Sequence, residues 1–352
     1  MLNRVKRRQM LSQVKTAMGA LVRDPISILN NPFTLAASLV VGVGGLLASQ
    51  LGVGYTFVLF AVAVVSILLG IWSEARKISI YQHAAIPLPI VINVSNPVDS
   101  ENALNALFNL IEQDNKFRNY RRNLAQYLQI SPSDLIFNYR GDIYQVDRLK
   151  DFLKITRYDL EKLKAKTPIN TTVHLAYAGP ASVGILIGTV LSLENVKIFQ
   201  YNKTSDNYYP VVEIRDRTLK EDITEFEKFT VDLPEKNQKN VTVAIDVSSH
   251  KIRTNDSSIT AYGDLIYMKS LSIGTIQSDE DWMQYVREIF KVLNLAQQTY
   301  GEIRLVYSMP VALAVILGIA VQNYWSIMLT NYDSSNSTYR DLMKLNDIQF
   351  HL

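Results

Sequence analysis

The sequence predicts an α/β protein in which a two-helix membrane hairpin precedes two similar, Rossmann-like halves. Three observations support this: a long uncharged stretch near the start, alternating strand and helix patterns after it, and a pattern that occurs twice in the chain. At 352 residues the chain exceeds a typical single domain, and its 48% hydrophobic content suits a folded protein. We predict a basic arm at 1–32, the hairpin at 33–73, a connector at 74–85, and halves at 86–235 and 236–352.

The hairpin prediction rests on 49 consecutive residues, Pro25 to Ser73, without Asp, Glu, Lys, Arg or His. The stretch divides at 49–54 into apolar arms at 33–48 and 55–72. With its flanking residues, each arm as a helix can cross a hydrocarbon layer of about 30 Å. A signal peptide is the other interpretation of the first arm, but a second apolar arm directly after it favours the hairpin.

The charges around the hairpin predict its orientation. Residues 1–24 carry six Lys/Arg against one acid, and Arg76 and Lys77 follow the second arm, whereas the connecting loop is uncharged. Both ends should therefore lie in the cytoplasm. Small residues, including Gly42, recur every fourth position in the first arm, a spacing that lets helices approach closely. Whether they pack on the second arm or on another protomer stays open.

The sequence lacks the motifs of several function classes. It has no cysteine, its four histidines are widely spaced, and neither a nucleotide-binding glycine loop nor a nucleophile elbow occurs. We therefore expect no metal site, no cofactor, no catalytic residue and no enzyme activity. Direct DNA binding is not expected either, because the excess positive charge is confined to the amino-terminal arm. Acidic residues such as Asp281 are expected to cap helices.

Strand and helix patterns alternate after residue 85, as in a wound α/β sheet. The predicted helices are 100–128, 145–166, 181–193 and 281–300. The predicted strands are 88–94, 135–138, 173–177, 196–201, 209–214, 241–247 and 302–307.

A repeat indicates that the halves are copies of one unit. Two segments align without a gap, and the matched residues are Leu175, Tyr177, Pro180, Gly188 and Tyr209 in the first and Leu305, Tyr307, Pro310, Gly318 and Tyr339 in the second. Each proline is expected at the first helical position, where its missing amide costs nothing. Each glycine is expected to bring its helix close to its own sheet. Tyr177 and Tyr307 could equally face a ligand or close the core.

Candidate ligand-binding residues follow from the predicted sheet topology. Open α/β sheets bind ligands at the carboxyl ends of their strands, where helix amino termini and small polar side chains meet. Aromatic rings there can stack on bases, and basic side chains can contact phosphates. The candidates are Ser95, Asn96, Arg140, Tyr177, Ala178, Gly179, Ser248, Ser249, Lys251, Arg253, Tyr307 and Ser308.

The doubled strand-Tyr-x-x-Pro-x7-Gly-helix-strand unit resembles the SAVED domain, a sensor built of two CARF-like halves, over 86–352. Together with the hairpin, it makes the chain similar to transmembrane SAVED effectors of cyclic-oligonucleotide-based antiphage signalling (CBASS). The resemblance implies a receptor for a cyclic tri- or tetranucleotide made by a cGAS-like nucleotidyltransferase (CD-NTase). It also implies self-association through the SAVED domain and the membrane helices, followed by disruption of the bacterial inner membrane and abortive infection.

Two alternatives remain open at this point. One is a membrane-bound SAVED/CARF effector of a type III CRISPR system that responds to cyclic oligoadenylate. The other is a membrane-anchored α/β enzyme acting on a nucleotide, for which Asp246, at a predicted strand end, would be the residue to test.

Overall fold

A computed structural model describes most of the α/β portion of the chain. The described ranges are 61–66, 68–70, 85–94, 99–167, 170–215, 218–248, 250–272 and 276–348. Within these ranges, no helix is both long and apolar enough to span a bilayer. The predicted hairpin falls mostly outside them and stays a prediction; its described residues, 61–66 and 68–70, are helical.

The first half forms a sheet with the strand order β2-β1-β3-β4-β5 in the described part of the chain. β1 pairs with β2 and β3 with β4 in parallel, and β5 returns antiparallel to β4. The strands β1–β5 are Ile86–Asn93, Ile136–Asn138, Thr171–Ala178, Asn195–Asn202 and Asn207–Ile214. The α-helices are Ser100–Glu112, Tyr120–Tyr127, Val146–Ala165 and Ala181–Val190, and the 3-10 helices are Asn115–Phe117 and Pro132–Leu135.

The second half repeats this strand order and adds one strand at the edge. Its sheet runs β11-β10-β9-β7-β8-β6, again with an antiparallel final hairpin, β10–β11. The strands β6–β11 are Phe229–Asp232, Asn240–Asp246, Asp264–Ser270, Glu302–Ser308, Ile327–Asp333 and Thr338–Lys344. The α-helices are Ser257–Thr260, Trp282–Thr299 and Val311–Val321, and the 3-10 helices are Thr218–Lys220 and Leu345–Asp347.

The duplicated architecture is confirmed, with one shift in register. Val173 of β3 pairs with Val196. Its counterpart in the repeat, Ile303 of β9, pairs with Ile327, which lies one position beyond the residue that aligns with Val196. The second copy therefore has one additional residue between helix and strand. As a result, the structural counterpart of Tyr339 is Tyr208, and the alignment of Tyr209 with Tyr339 was wrong by one position.

Several predicted boundaries differ from the structure for local reasons. The helix predicted at 100–128 is broken after Glu112, because Asp114 accepts a hydrogen bond from Lys116 N at 3.0 Å and starts a 3-10 turn. Asn119 then has a φ of 58°, which no α-helix allows. Pro180 and Pro310 stand immediately before their helices and not at the first helical position.

Strand β6 lies before the predicted boundary at 235/236 but belongs to the second sheet, where it pairs antiparallel with β8. A buried carboxylate fixes the start of this strand. Glu288 accepts hydrogen bonds from the backbone amides of Glu227, Lys228 and Phe229 at 2.8–3.1 Å. The carboxylate lies on the long helix Trp282–Thr299, so the segment leading into β6 is held by the second half.

The helices Ala181–Val190 and Val311–Val321, here called the paired helices, join the two halves. Every residue from Ala312 to Val321 is buried, as are those from Ser182 to Val190. A Cβ placed on Gly318 would lie 2.0 Å from Ile185 O, and one on Gly188 would lie 2.2 Å from Val315 O. The prediction that each glycine faces its own sheet was therefore wrong: the two glycines face each other across the contact between the halves, where only hydrogen fits.

Candidate functional site

A cavity of about 540 Å³ opens at the carboxyl ends of β7 and β9 in the second sheet. The two strand ends are tied together, because Val247 N donates to Ser308 O at 2.7 Å. Beyond the end of a strand, polar groups no longer take part in the hydrogen bonds of the sheet, and ligands of open α/β sheets bind there. The cavity is lined by Ala181, Ser248, His250, Lys251, Arg253, Asp256, Tyr307, Ser308, Met309, Asn331, Tyr332, Ser337 and Tyr339.

Two serine hydroxyls form the floor of the cavity. Ser248 Oγ and Ser308 Oγ lie 2.6 Å apart, and Ser308 Oγ also donates to the carbonyl oxygen of His250. The amide of His250 in turn donates to Ser248 Oγ at 3.2 Å. The loop after β7 is therefore folded back onto the end of β9, which presents both hydroxyls to one space.

A buried carboxylate lies beside this floor. Asp246, the last residue of β7, is fully buried, and its Oδ2 accepts a hydrogen bond from Tyr267 Oη at 3.0 Å. Its Oδ1 lies 3.5 Å from Lys251 Nζ, which also donates to Ser248 O at 3.2 Å. Lys251 remains half exposed, so its ammonium stands at the rim of the cavity.

Arg304, which lies on the same face of β9 as Ser308, supports the cavity wall. This buried guanidinium donates through Nε to Asp341 Oδ1 at 2.6 Å and through Nη2 to Tyr339 O at 3.0 Å. It also donates to Ser258 O, in the short helix that follows Asp256. Two lining residues, Tyr339 and Asp256, are thus held in place by one side chain.

Three tyrosines provide the aromatic wall. The rings of Tyr332 and Tyr339 are 5.2 Å apart and tilted by 60°. Burial, together with the neighbouring Tyr332, raises the pKa of Tyr339 to about 12. Burial also raises the pKa of Tyr307, whose hydroxyl donates to Thr330 O. The phenols of Tyr339 and Tyr307 therefore remain neutral at physiological pH.

Side chains from both halves meet at this cavity. Ser182 Oγ of the first half donates to Asn331 Oδ1, a lining residue, at 3.1 Å. The reciprocal bond runs from Ala312 N of the second half to Gln200 Oε1 of the first, at 3.2 Å. In addition, the guanidinium of Arg340 lies 3.9 Å from the centre of a first-half ring, Tyr144.

Comparison with known families accounts for the doubled fold. The family described as "SMODS-associated and fused to various effectors sensor domain", abbreviated SAVED, matches residues 77–214 and 217–345. The chain belongs to the SAVED family. No curated protein is a detectable relative.

Solved structures of SAVED/CARF-domain receptors are similar in fold. The Acinetobacter baumannii Cap4 receptor with the cyclic trinucleotide 2'3'3'-cAAA shares 15% identity, covering 79% of this chain and 56% of that one, at a TM-score of 0.49. The same receptor with 3'3'3'-cAAA shares 13% identity, with coverages of 89% and 77% and a TM-score of 0.47. The Moraxella osloensis Cap4 receptor shares 14% identity, with coverages of 78% and 53% and a TM-score of 0.46. The chain thus spans little more than half of two of these receptor chains.

Five candidates in the second half of the SAVED domain line one cavity. They come together because the loop after β7 and the end of β9 are adjacent in the sheet. They are Ser248, Lys251, Arg253, Tyr307 and Ser308. Ser249, together with the first-half residues Ser95 and Asn96, lies outside the described residues.

The described first-half candidates do not line this cavity. Tyr177 is buried, and its hydroxyl donates to Pro180 O at 2.7 Å. Its ring covers Gly179, where a Cβ would lie 2.6 Å from Tyr177 Oη. Tyr177 and Gly179 therefore close the core here, while the neighbouring Ala178 and the exposed Arg140 stand apart from the cavity.

Sequence reasoning missed the lining residues of the final hairpin, among them Asn331 and Tyr332. A signal existed, because Tyr339 was part of the repeat and β10 is its partner strand. The expectation that Asp281 caps a helix is confirmed: its carboxylate accepts from Met283 N at 2.9 Å and Gln284 N at 3.2 Å. Another acid, Asp99, stands at a helix start without a capping bond from its side chain.

Proposed function

We propose that this SAVED domain is the receptor for a cyclic oligonucleotide, which binds in the cavity at the carboxyl ends of β7 and β9. The observation that carries the proposal is the composition of that cavity: two basic side chains, two serine hydroxyls and tyrosine rings converge on one space. Its volume lies within the range of about 300–1,000 Å³ usual for small-molecule sites. The similar Cap4 receptors, whose structures include cyclic trinucleotides, agree with this ligand class.

Each part of such a ligand has a matching group. Lys251 and Arg253 supply positive charge for phosphates, and Ser248 and Ser308 supply hydroxyl donors. Tyr332, whose side chain is 49% exposed, offers a ring face on which a base can stack. None of these roles requires bond cleavage, so we propose a receptor and not an enzyme.

We further propose that ligand binding makes protomers associate and that the membrane hairpin is the effector. Linked helices gain effective concentration when the domains to which they are attached assemble. The described hairpin residues support this role, because Val62, Val65 and Leu68 on their helical segments are exposed. In this proposal, a CD-NTase supplies the ligand, and the assembled hairpins disrupt the inner membrane as an antiphage defence.

A ligand panel on the full-length protein in detergent tests the receptor proposal. Cyclic di-, tri- and tetranucleotides are titrated, with affinity and particle size as readouts. We expect one ligand to bind and to enlarge the particle. Arg253→Ala should weaken that ligand about tenfold or more, because it removes a charged phosphate contact. Arg140→Ala, the matched exposed arginine outside the cavity, should leave the affinity unchanged.

Three outcomes would oppose the proposal. Absence of binding across the panel would exclude a cyclic oligonucleotide as the ligand. Equal losses of affinity in the two arginine variants would show that the ligand does not bind in the assigned cavity. Turnover of a bound nucleotide would favour the enzyme alternative. A type III CRISPR locus beside the gene, in place of a nucleotidyltransferase, would move the receptor to that system.

The effector part is tested separately through helix packing. Gly42→Leu should reduce ligand-dependent growth arrest in cells, because a large side chain keeps the predicted spans apart. Ligand affinity should not change, since the substitution lies outside the SAVED domain. The matched control is Val40→Leu, which replaces one large residue in the same arm by another. Loss of affinity in the Gly42 variant would show that hairpin and receptor are not separable.

A further inference from the structure

The two halves differ in charge at the same position of the fold. Val94 N donates to Ala178 O at 2.8 Å, and Val247 N donates to Ser308 O at 2.7 Å. These matching bonds make Asn93 the counterpart of Asp246, each being the last residue of its strand. Asn93 is neutral and donates to Ser100 Oγ at 2.9 Å. Asp246 places a carboxylate at the equivalent point.

Only one of the two oxygens of the Asp246 carboxylate accepts a hydrogen bond among the described residues. Oδ2 accepts from Tyr267 Oη at 3.0 Å, whereas Oδ1 is buried and accepts no hydrogen bond among the described residues. The ammonium of Lys251 lies 3.5 Å from Oδ1, an ion-pair distance without a hydrogen bond. A buried carboxylate is costly unless a cation compensates it, so this oxygen attracts Lys251.

We propose that Asp246 is a positioning residue that holds Lys251 toward the phosphate of the ligand. The proposal rests on the function proposed above and assigns the ligand-orienting charge to the second half. An ammonium has three donors. One goes to Ser248 O at 3.2 Å, a second points to Asp246, and the third is left for the cavity. Without Asp246, the flexible lysine would spread over many rotamers and lose this direction.

Asp246→Asn tests the proposal, because it copies the first-half residue with little change in volume. The amide can still accept from Tyr267, but it no longer attracts an ammonium. Affinity of the full-length protein for 3'3'3'-cyclic triadenylate, or for the panel ligand that binds wild type best, should fall about tenfold. Tyr267→Phe is the matched control: it removes the other bond to Asp246, keeps the ion pair, and should change affinity less than about threefold.

The double variant separates positioning from a structural role. In a Lys251→Met background, Asp246→Asn should cause no further loss of affinity, since the residue acts through the lysine. An additional tenfold loss there, or an unchanged affinity in Asp246→Asn alone, would overturn the proposal. Thermal unfolding of each variant shows whether it remains folded.

A ligand-free measurement keeps the inference testable if no cyclic oligonucleotide binds. Acylation of Lys251 is followed by mass spectrometry relative to Lys203, an exposed lysine in the β4–β5 turn. Lys251 should react more slowly than Lys203 in wild type and at a similar rate in Asp246→Asn. If no ligand of the panel binds but this difference in reactivity is seen, the proposed function is wrong and the pairing of Lys251 with Asp246 stands. Unchanged reactivity of Lys251 would remove the pairing itself.

Discussion

The two halves share a scaffold but end their first strands differently. In the first half, Asn93 donates to Ser100, and Ser100 donates to Asn138 at 2.8 Å, so neutral groups satisfy one another. In the second half, the equivalent Asp246 faces a lysine, and a cavity opens beside it. Two copies of one fold can therefore carry different sites, because a carboxylate in place of an amide changes which groups the strand end can bind.

The final hairpins make the same point with aromatic residues. Tyr201 and Tyr208 in the first half are 5.3 Å apart, and Tyr332 and Tyr339 in the second are 5.2 Å apart. The geometry of the pair is retained, yet only Tyr332 and Tyr339 line the cavity of about 540 Å³. Substitutions at matched positions therefore test whether the two halves differ in this way.

The largest effect is expected where the halves are alike. Gly318→Ala places a Cβ 2.0 Å from Ile185 O, a backbone atom that cannot rotate away. We expect the free energy of unfolding to fall by about 3 kcal/mol or more, measured by chemical denaturation. Gly184→Ala is the control, because its Cβ would meet Tyr177 Cε1 at 3.1 Å and its counterpart is already Ala314. A change within about 1 kcal/mol is expected there; equal losses would contradict the assigned contact.

A smaller effect on the free energy of unfolding is expected when the pH is lowered, because the first half has a buried histidine where the second half has an arginine. Burial, and then the charge of Lys197, lowers the pKa of His174 to about 3. The unfolded chain binds the proton below about 6.5 and the native chain does not, so stability falls as the pH drops through 6.5. From pH 7 to 5 this histidine should remove about 2 kcal/mol. The second-half counterpart of His174 is Arg304, which is ion-paired with Asp341.

Denaturation curves of wild type and His174→Gln at pH 7 and pH 5 check this expectation. The glutamine variant should lose less stability between the two pH values, because its amide does not titrate. Identical pH dependence in both proteins would assign the acid sensitivity to other groups.

The smallest effect concerns the aromatic pairs. Tyr332→Ala should weaken ligand binding about tenfold, since stacking of one base on a ring contributes about 1–3 kcal/mol. Tyr201→Ala removes the equivalent ring in the first half, where it is 39% exposed, and should leave affinity unchanged. Titration of both variants with the same ligand decides the point. Equal losses would mean that the ligand reaches both hairpins.

Local patterns predicted the elements better than their assembly. The helix predicted at 145–166 is Val146–Ala165, and the strand predicted at 173–177 is Thr171–Ala178, because hydrophobic periodicity is a local property. Strand β8, whose burial alternates from Asp264, was missed although its alternation was present. The role of Gly188 and Gly318 was not predictable, because no local pattern tells which element lies opposite a small residue.

The site was predictable in the same partial way. Ser248, Lys251, Arg253, Tyr307 and Ser308 were found because they follow predicted strands, and strand ends are where ligands bind. Tyr177 met the same criterion but does not line the cavity, although its hydroxyl, like that of Tyr307, donates to a backbone carbonyl. Which of two equivalent tyrosines faces a cavity depends on the packing around each ring, which the sequence does not contain.

Because of the paired helices, we expect that the two halves of this domain cannot be produced separately. A helix that is buried on all its faces, as Val311–Val321 is, has no side suited to water. Cutting the chain at 216–217 and expressing the pieces separately would strip that helix of its covering and leave two aggregation-prone fragments.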